Sequence, residues 1–164
     1  MSDPLLPALL SVTDAIARDA SPEAAFRAVE QATAALIGHR LFTVLVRCAG
    51  GEEVERVYSS DPVAYPVQGR KRMGPTPWGA LVLDRKQTFL GRDVAAIRWA
   101  FPDHALIESL GLGAVINVTA QLGGEVLGTL NLLDREGAYT SEAQVELARA
   151  FTPFLIPALL HKRA

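Results

Sequence analysis

Hydrophobic positions recur at two different periods along this chain, and the switches between them divide it into segments. From Ser2 to Asp19, Leu5, Leu9, Val12 and Ile16 recur at mostly three- and four-residue spacing, which predicts an opening helix. Pro4 and Pro7 fall where a first helical turn tolerates them. Ser21 is the N-cap candidate of a second helix with Pro22 at its first position; Phe26, Val29, Thr33, Leu36 and Ile37 mark one face and Gly38 stops it. At Leu41 the period shortens to two. Leu41 to Cys48, the Gly50-Gly51 turn and Val54 to Ser59 read as a hairpin over 41–59. Phe42, Val44, Val46 and Cys48 then share one face, which buries Cys48.

Residues 60–113 lose periodicity. Pro62, Pro66, Gly69, Gly74, Pro75 and Pro77 interrupt the first part, and short helices with irregular links are expected from Trp78 to Leu110. A stretch this irregular inside a compact domain reads as a functional loop or lid. Regular structure returns over 114–133, where Ala114–Leu122 and Glu125–Leu133 flank the Gly123-Gly124 turn as a second hairpin. Ser141 and Gln144 have capping-box spacing and open a last helix over 140–162, with Val145, Ala148, Phe151, Leu155 and Leu159 on one face. Pro153 and Pro157 should kink it.

Strands grouped in hairpins predict an α+β fold, with a central antiparallel sheet. The terminal helices over 1–38 and 140–162 would cover one face and the insert the other, leaving a pocket between insert and sheet. A length of 164 residues suits one domain, 1–164. A net charge of −2 argues against a general nucleic-acid binder. The single cysteine excludes a disulfide framework or a Cys-rich zinc site. No apolar run has the length of a membrane span, and the N-terminus lacks a basic signal region. A reduced, cytoplasmic protein is expected, without a nucleic-acid or membrane partner.

The segment Val115 to Leu133, with its apolar strand, Gly turn and Val-Leu-Gly-Thr-Leu, resembles the penultimate hairpin of GAF domains, with Gly128 at that family's recurrent glycine. Thr119 stands where the family commonly has proline. The resemblance extends over nearly the whole chain and implies a GAF domain, a small sensory fold related to PAS domains, that binds a small molecule or dimerises; with no room left for an output domain, a freestanding GAF protein is expected, and a piece of a larger one is the other reading.

Within that resemblance the residues narrow the chemistry. Phe101-Pro102-Asp103-His104 is similar to an element of the free methionine-(R)-sulfoxide reductases, a GAF subfamily that works with cysteines in the insert and before the penultimate strand. No cysteine lies between Ser60 and Leu133, so Cys48 reads as an inert core thiol and the reductase is the alternative reading. The same gap removes the bilin attachment site of photoreceptor members. The Asn-Lys-x-Phe-Asp-Glu set of cyclic-nucleotide-binding members has no counterpart. His104, on an insert helix, is where haem-sensing members place a ligand, but it has no partner at metal-ligand spacing. His39 reads as a helix cap.

The ligand-binding candidates are Tyr58, Tyr65, Trp78, Phe101, His104, Asn117 and Asn131. The aromatics flank or belong to the insert, and the asparagines interrupt apolar strands where a buried amide needs partners. A two-residue turn at Gly123-Gly124 puts Asn117 and Asn131 on opposite faces and a three-residue loop puts them on the same one; the sequence leaves both open. Arg70-Lys71-Arg72 reads as a solvated loop, with an anionic ligand or acidic partner as the other reading. Phe154, Leu155, Ile156, Leu159 and Leu160 exceed one helix face and suggest a homodimer through the first and last helices. No nucleophile triad, phosphate loop or carboxylate pair asks for catalysis. The sequence names neither ligand nor cofactor, and a ligand-free interaction module is the second alternative.

Overall fold

Residues 2–163 are described by a computed structural model of the chain; Met1 and Ala164, the ends of the expected 1–164 span, lie outside the described residues. The two expected hairpins form: Leu41–Arg47 (β1) pairs with Glu53–Ser59 (β2), and Ala114–Leu122 (β5) with Glu125–Asp134 (β6). β1 and β6 pair antiparallel from Leu41↔Leu133 to Val46↔Gly128, which joins the hairpins at the centre of one sheet. Two short strands inside the insert close its edges. Arg70–Arg72 (β3) lies beside β2 and Phe89–Gly91 (β4) beside β5, giving the order β3-β2-β1-β6-β5-β4. The expectation of a loop at Arg70-Lys71-Arg72 is therefore corrected: the three residues alternate, as strand residues do.

Leu5–Arg18 (α1) and Pro22–Leu36 (α2) form as the periodicity predicts, and the Ser21 side chain caps α2 at the Ala24 amide. The C-terminal helix is not one kinked rod over 140–162. Glu142–Arg149 (α6) opens with the expected capping box, a 3₁₀ turn follows at Thr152–Leu155, and Ile156–Arg163 (α7) completes the segment. Pro153 sits at the break. Pro157 lies in the first turn of α7, where its missing amide has no helical acceptor, so no kink arises there.

One face of the sheet packs on these helices. Phe42, Val44 and Val46 meet Ile116, Val118, Leu130 and Leu132, and Phe26, Val29, Phe151, Leu155 and Leu159 cover them. The apolar surplus expected to mark a dimer face is mostly this core: Leu155 and Leu159 are fully buried and Phe154 and Ile156 pack against it, leaving Leu160 exposed. The opposite face carries the insert in two smaller clusters. One forms around Trp78, Val82 and Leu83, and the other around Ile97 and Ile107. Between Trp78 and Ile97 run a helical turn at Pro77–Gly79 (α3), a π-helical turn at Ala80–Asp84, and Val94–Ala100 (α4); His104–Ser109 (α5) follows.

His39 folds back on α2, its Nε2 3.2 Å from both the Glu30 carbonyl oxygen and Thr33 Oγ1. Since the carbonyl only accepts, Nε2 carries a proton and donates. Burial holds the imidazole below its ordinary value of 6.5, so the folded state favours the neutral ring. The unfolded chain then binds more protons below that pH, and the stability contributed by neutral His39 is lost as pH falls through 6.5 toward the lower folded value. Comparing urea midpoints of the protein with those of His39→Gln between pH 7.5 and 5.5 should show the difference narrowing on the acid side. A constant difference would contradict this.

Candidate functional site

Four buried polar side chains form a row across the insert face of the sheet. Trp78 Nε1 donates to Asn117 Oδ1 at 3.0 Å, and Asn117 Nδ2 donates to Asn131 Oδ1 at 2.7 Å. Asn131 Nδ2 in turn reaches Thr43 Oγ1 at 3.2 Å and the Thr43 carbonyl oxygen at 3.3 Å. An indole N–H can only donate, so Trp78 fixes the orientation of the Asn117 amide, and that amide fixes Asn131. All four side chains are buried, and Trp78 is fully enclosed. The row locks β5, β6 and β1 to the insert.

A β-bulge brings the two asparagines together. The Gly123-Gly124 turn has two residues, closed by the Leu122↔Glu125 pair, which alone would place Asn117 and Asn131 on opposite faces. The register shifts between Ala120 and Gln121, so β6 contains one extra residue at Leu127 and Asn117 pairs directly with Asn131. The bulge does what a three-residue loop would have done.

A second bulge acts in the other direction. Leu45 pairs with Arg56 but Val44 pairs with Tyr58, so Val57 is the extra residue in β2. Arg56, on the turn side of the bulge, keeps the parity of Val54 and faces the insert. Tyr58 turns to the helix side, packs against Phe26 and Phe42, and donates to Glu30 Oε2 at 2.5 Å. Tyr58 therefore does not join the other candidates.

Between the asparagine row and the insert lies a cavity of about 40 Å³. Its floor is Thr43, Leu45, Asn117 and Asn131, and Tyr65 and Ile107 stand at its sides. Arg56, Lys71 and Asp103 supply its charges, a sum of two positive and one negative. Lys71, Phe101 and Asp103 are the wall residues that are only half-buried, so they form the mouth. The space suits a few waters or a very compact molecule, and is well below the ~300–1,000 Å³ of drug-sized sites.

The charged groups are tightly arranged. The Arg56 guanidinium lies 4.4 Å over the Tyr65 ring, and its Nη1 donates to the Pro66 carbonyl at 3.1 Å. Tyr65 OH donates to Asp103 Oδ2 at 3.0 Å, and Lys71 Nζ reaches the same oxygen at 3.3 Å. Burial first, and the Asp103 charge second, push the Tyr65 phenol well above its ordinary value, so it stays protonated and donates. Burial also pulls the Arg56 guanidinium below its usual range. Two of these buried atoms have no hydrogen-bond partner among the described residues: Arg56 Nε and Asp103 Oδ1.

Of the sequence candidates, Tyr65, Phe101, Asn117 and Asn131 line the cavity. Trp78 stands behind Asn117 as its donor. His104 lies outside the lining, its Nδ1 3.1 Å from Glu108 Oε2 on the same half-exposed helix face. Arg56 and Asp103 were not among the candidates, and Lys71 entered only through the anionic-ligand alternative for Arg70-Lys71-Arg72. Arg56 had a legible signal, since it shares strand parity with buried Val54. Lys71 sat inside a run read as solvated, but in β3 its neighbours Arg70 and Arg72 pair outward with Glu55 and Glu52 while Lys71 turns in. Cys48 is buried in the turn after β1, outside the cavity lining, and burial raises its thiol.

Solved structures with this architecture include the GAF domain of a phosphoenolpyruvate-protein phosphotransferase from Coxiella burnetii. It matches at a TM-score of 0.80 and 16% identity, over 99% of this chain and 97% of that one. The chain has the GAF fold. The equivalent GAF domain from Acinetobacter aligns at a TM-score of 0.78 and 15% identity, over 98% and 95% of the two chains. The free methionine-R-sulfoxide reductase from Neisseria meningitidis, solved in complex with its substrate, aligns at 0.71 and 17%, over 99% and 94%. No family model matches the sequence, and no curated protein matches it. Among the described residues, no helix of this GAF fold is long and apolar enough to cross a membrane.

Proposed function

We propose that this GAF fold is a sensory domain that binds a small polar molecule in the cavity between its sheet and the 60–113 insert, without catalysing a reaction on it. The observation that carries this reading is the pair of unpartnered buried atoms, Arg56 Nε and Asp103 Oδ1, on two of the residues that line the cavity. A buried donor and a buried acceptor each lose about 1–3 kcal/mol when unpaired. A ligand offering both partners recovers that loss, which supports binding here over a cavity closed by its own side chains. The reductase reading is weaker because the chain's one cysteine is buried away from this cavity.

Thermal-shift measurements against amino acids, nucleotides, short carboxylates and haem test the proposal. A ligand at a hundred times its Kd adds ~2.7 kcal/mol, which raises the midpoint of a domain this size by roughly 5–10 °C. The shift should vanish in Arg56→Gln. Silence across the panel, together with a native mass equal to the chain's own in protein taken from its host, would leave the interaction module as the reading.

Self-association is proposed through the first of the two helices the sequence suggested. Leu6 and Leu10, one turn apart on α1, are 62% and 51% exposed, a pair that supports docking against a second copy. Light scattering at high concentration should give a dimer that Leu6→Glu/Leu10→Glu converts to monomer; a monomeric parent protein removes the proposal.

A further inference from the structure

The groups around the cavity specify more than a polar ligand. Its lining carries Arg56, Lys71 and Asp103, a net charge of +1 before anything binds. Asp103 is already served on one oxygen by the Tyr65 hydroxyl and the Lys71 ammonium, so its charge is largely compensated there. What remains is an acceptor oxygen, Oδ1, that needs a hydrogen-bond donor without needing a second cation. Arg56 is the reverse case. Its guanidinium is stacked on Tyr65 and held at Nη1 by the Pro66 carbonyl, but no carboxylate pairs with it and Nε has no acceptor. A guanidinium in that condition binds an oxyanion strongly, because the interaction is charge-assisted and sheltered from water.

Resting on the binding proposal above, we infer that the ligand is a compact hydroxylated monocarboxylate: a carboxylate for Arg56 and a neutral hydroxyl donating to Asp103 Oδ1. Charge balance separates this class from its neighbours. A single negative charge neutralises the +1 cavity, whereas a zwitterionic amino acid leaves it unbalanced and a dianion overshoots. The cavity size excludes nucleotides and haem in the conformation described, since about 40 Å³ accommodates only a molecule of two or three carbons after a small shift at the half-buried mouth. The apolar neighbours Leu45, Ile107 and Leu133 would meet its carbon atoms.

The class makes an unusual demand on Asp103. In Asp103→Asn, the amide must turn its oxygen toward the Tyr65 hydroxyl and Lys71, which only donate in this arrangement, so its NH₂ takes the place of the unpartnered Oδ1. That position then donates, and a keto group becomes the better partner than a hydroxyl.

Isothermal titration calorimetry on the full chain tests this with glycolate, lactate, glyoxylate, pyruvate, acetate, propionate and glycine. The hydroxy acids should bind the parent protein at least tenfold tighter than acetate, propionate, the keto acids and glycine. In Asp103→Asn the order of lactate and pyruvate should invert, and in Arg56→Gln all of these affinities should fall at least tenfold. Circular dichroism and the unfolding midpoint of each variant establish that it is folded, and Lys71→Met, which loses the ammonium at the mouth and its contact with Asp103 Oδ2 but leaves the Tyr65 hydroxyl on that oxygen, provides a milder second variant with weakened binding and an unchanged hydroxy-over-keto order. Equal binding of lactate and propionate overturns the inference, as does an unaltered preference in folded Asp103→Asn. No heat with any of the seven overturns it as well. If another compound of the wider panel then shifts the parent but not Arg56→Gln, the class is wrong and the cavity proposal survives; if none does, both fall.

Discussion

Asn117→Leu is expected to destabilise the protein by about 2–5 kcal/mol, although leucine fills nearly the same volume. The substitution leaves Trp78 Nε1 without its acceptor and Asn131 Oδ1 without its donor, both inside the sheet–insert interface. Each buried orphan costs ~1–3 kcal/mol. Relaxation does not rescue either, because Trp78 is fully enclosed and Asn131 is held between β1 and β5. Urea denaturation followed by circular dichroism measures the change. Trp78→Phe combined with Asn117→Leu should cost less than the sum of the single changes, since the first removes the donor that the second strands. Additive effects would mean that the indole–amide contact contributes nothing.

Gly128→Ala is expected to cost about 3 kcal/mol. A Cβ at that position would lie 2.1 Å from the Leu45 carbonyl oxygen and 3.1 Å from Leu159 Cδ2. Leu159 can shift, but the carbonyl belongs to the β1–β6 ladder, which would have to part next to the Val46↔Gly128 pair. Overpacking against fixed backbone typically costs 1–3 kcal/mol, and this contact is among the tightest that a methyl group can make. The comparison is Gly137→Ala. Gly137 has a positive φ of 80° with open space around it, so only backbone strain of ~1 kcal/mol is expected there. Equal losses in the two variants would contradict the packing argument.

Local pattern revealed most of this fold and part of its site. The helices α1 and α2, the two hairpins and the Ser141 cap were legible because their determinants lie within a few residues of one another. β3 and β4 were not. Three residues are too few to display alternation, and both strands exist only because β2 and β5 offer partners distant in sequence. The bulges at Val57 and Leu127 explain the site in the same terms. Each shifts parity by one residue, which moved Tyr58 out of the candidate set and placed Asn117 beside Asn131, and neither has a residue signature in its strand. The charged residues were missed for a different reason. Lys71 sits in a charged run that reads as solvated and Asp103 in a short irregular link, and only the folded insert brings both to the Tyr65 hydroxyl beside Arg56.

The chain holds two tryptophans that make a direct test of the central claim possible. Trp78 donates its indole hydrogen to an asparagine on the cavity floor, whereas Trp99 is 48% exposed and stacks on Phe89 outside the cavity lining. In a ¹⁵N-labelled protein titrated with lactate, the Trp78 indole signal and the Asn117 and Asn131 side-chain amides should move together and saturate, while the Trp99 indole stays fixed. Movement of Trp99 with a silent Trp78, or a saturable heat of binding with no change in either asparagine, would contradict a ligand site between the sheet and the insert.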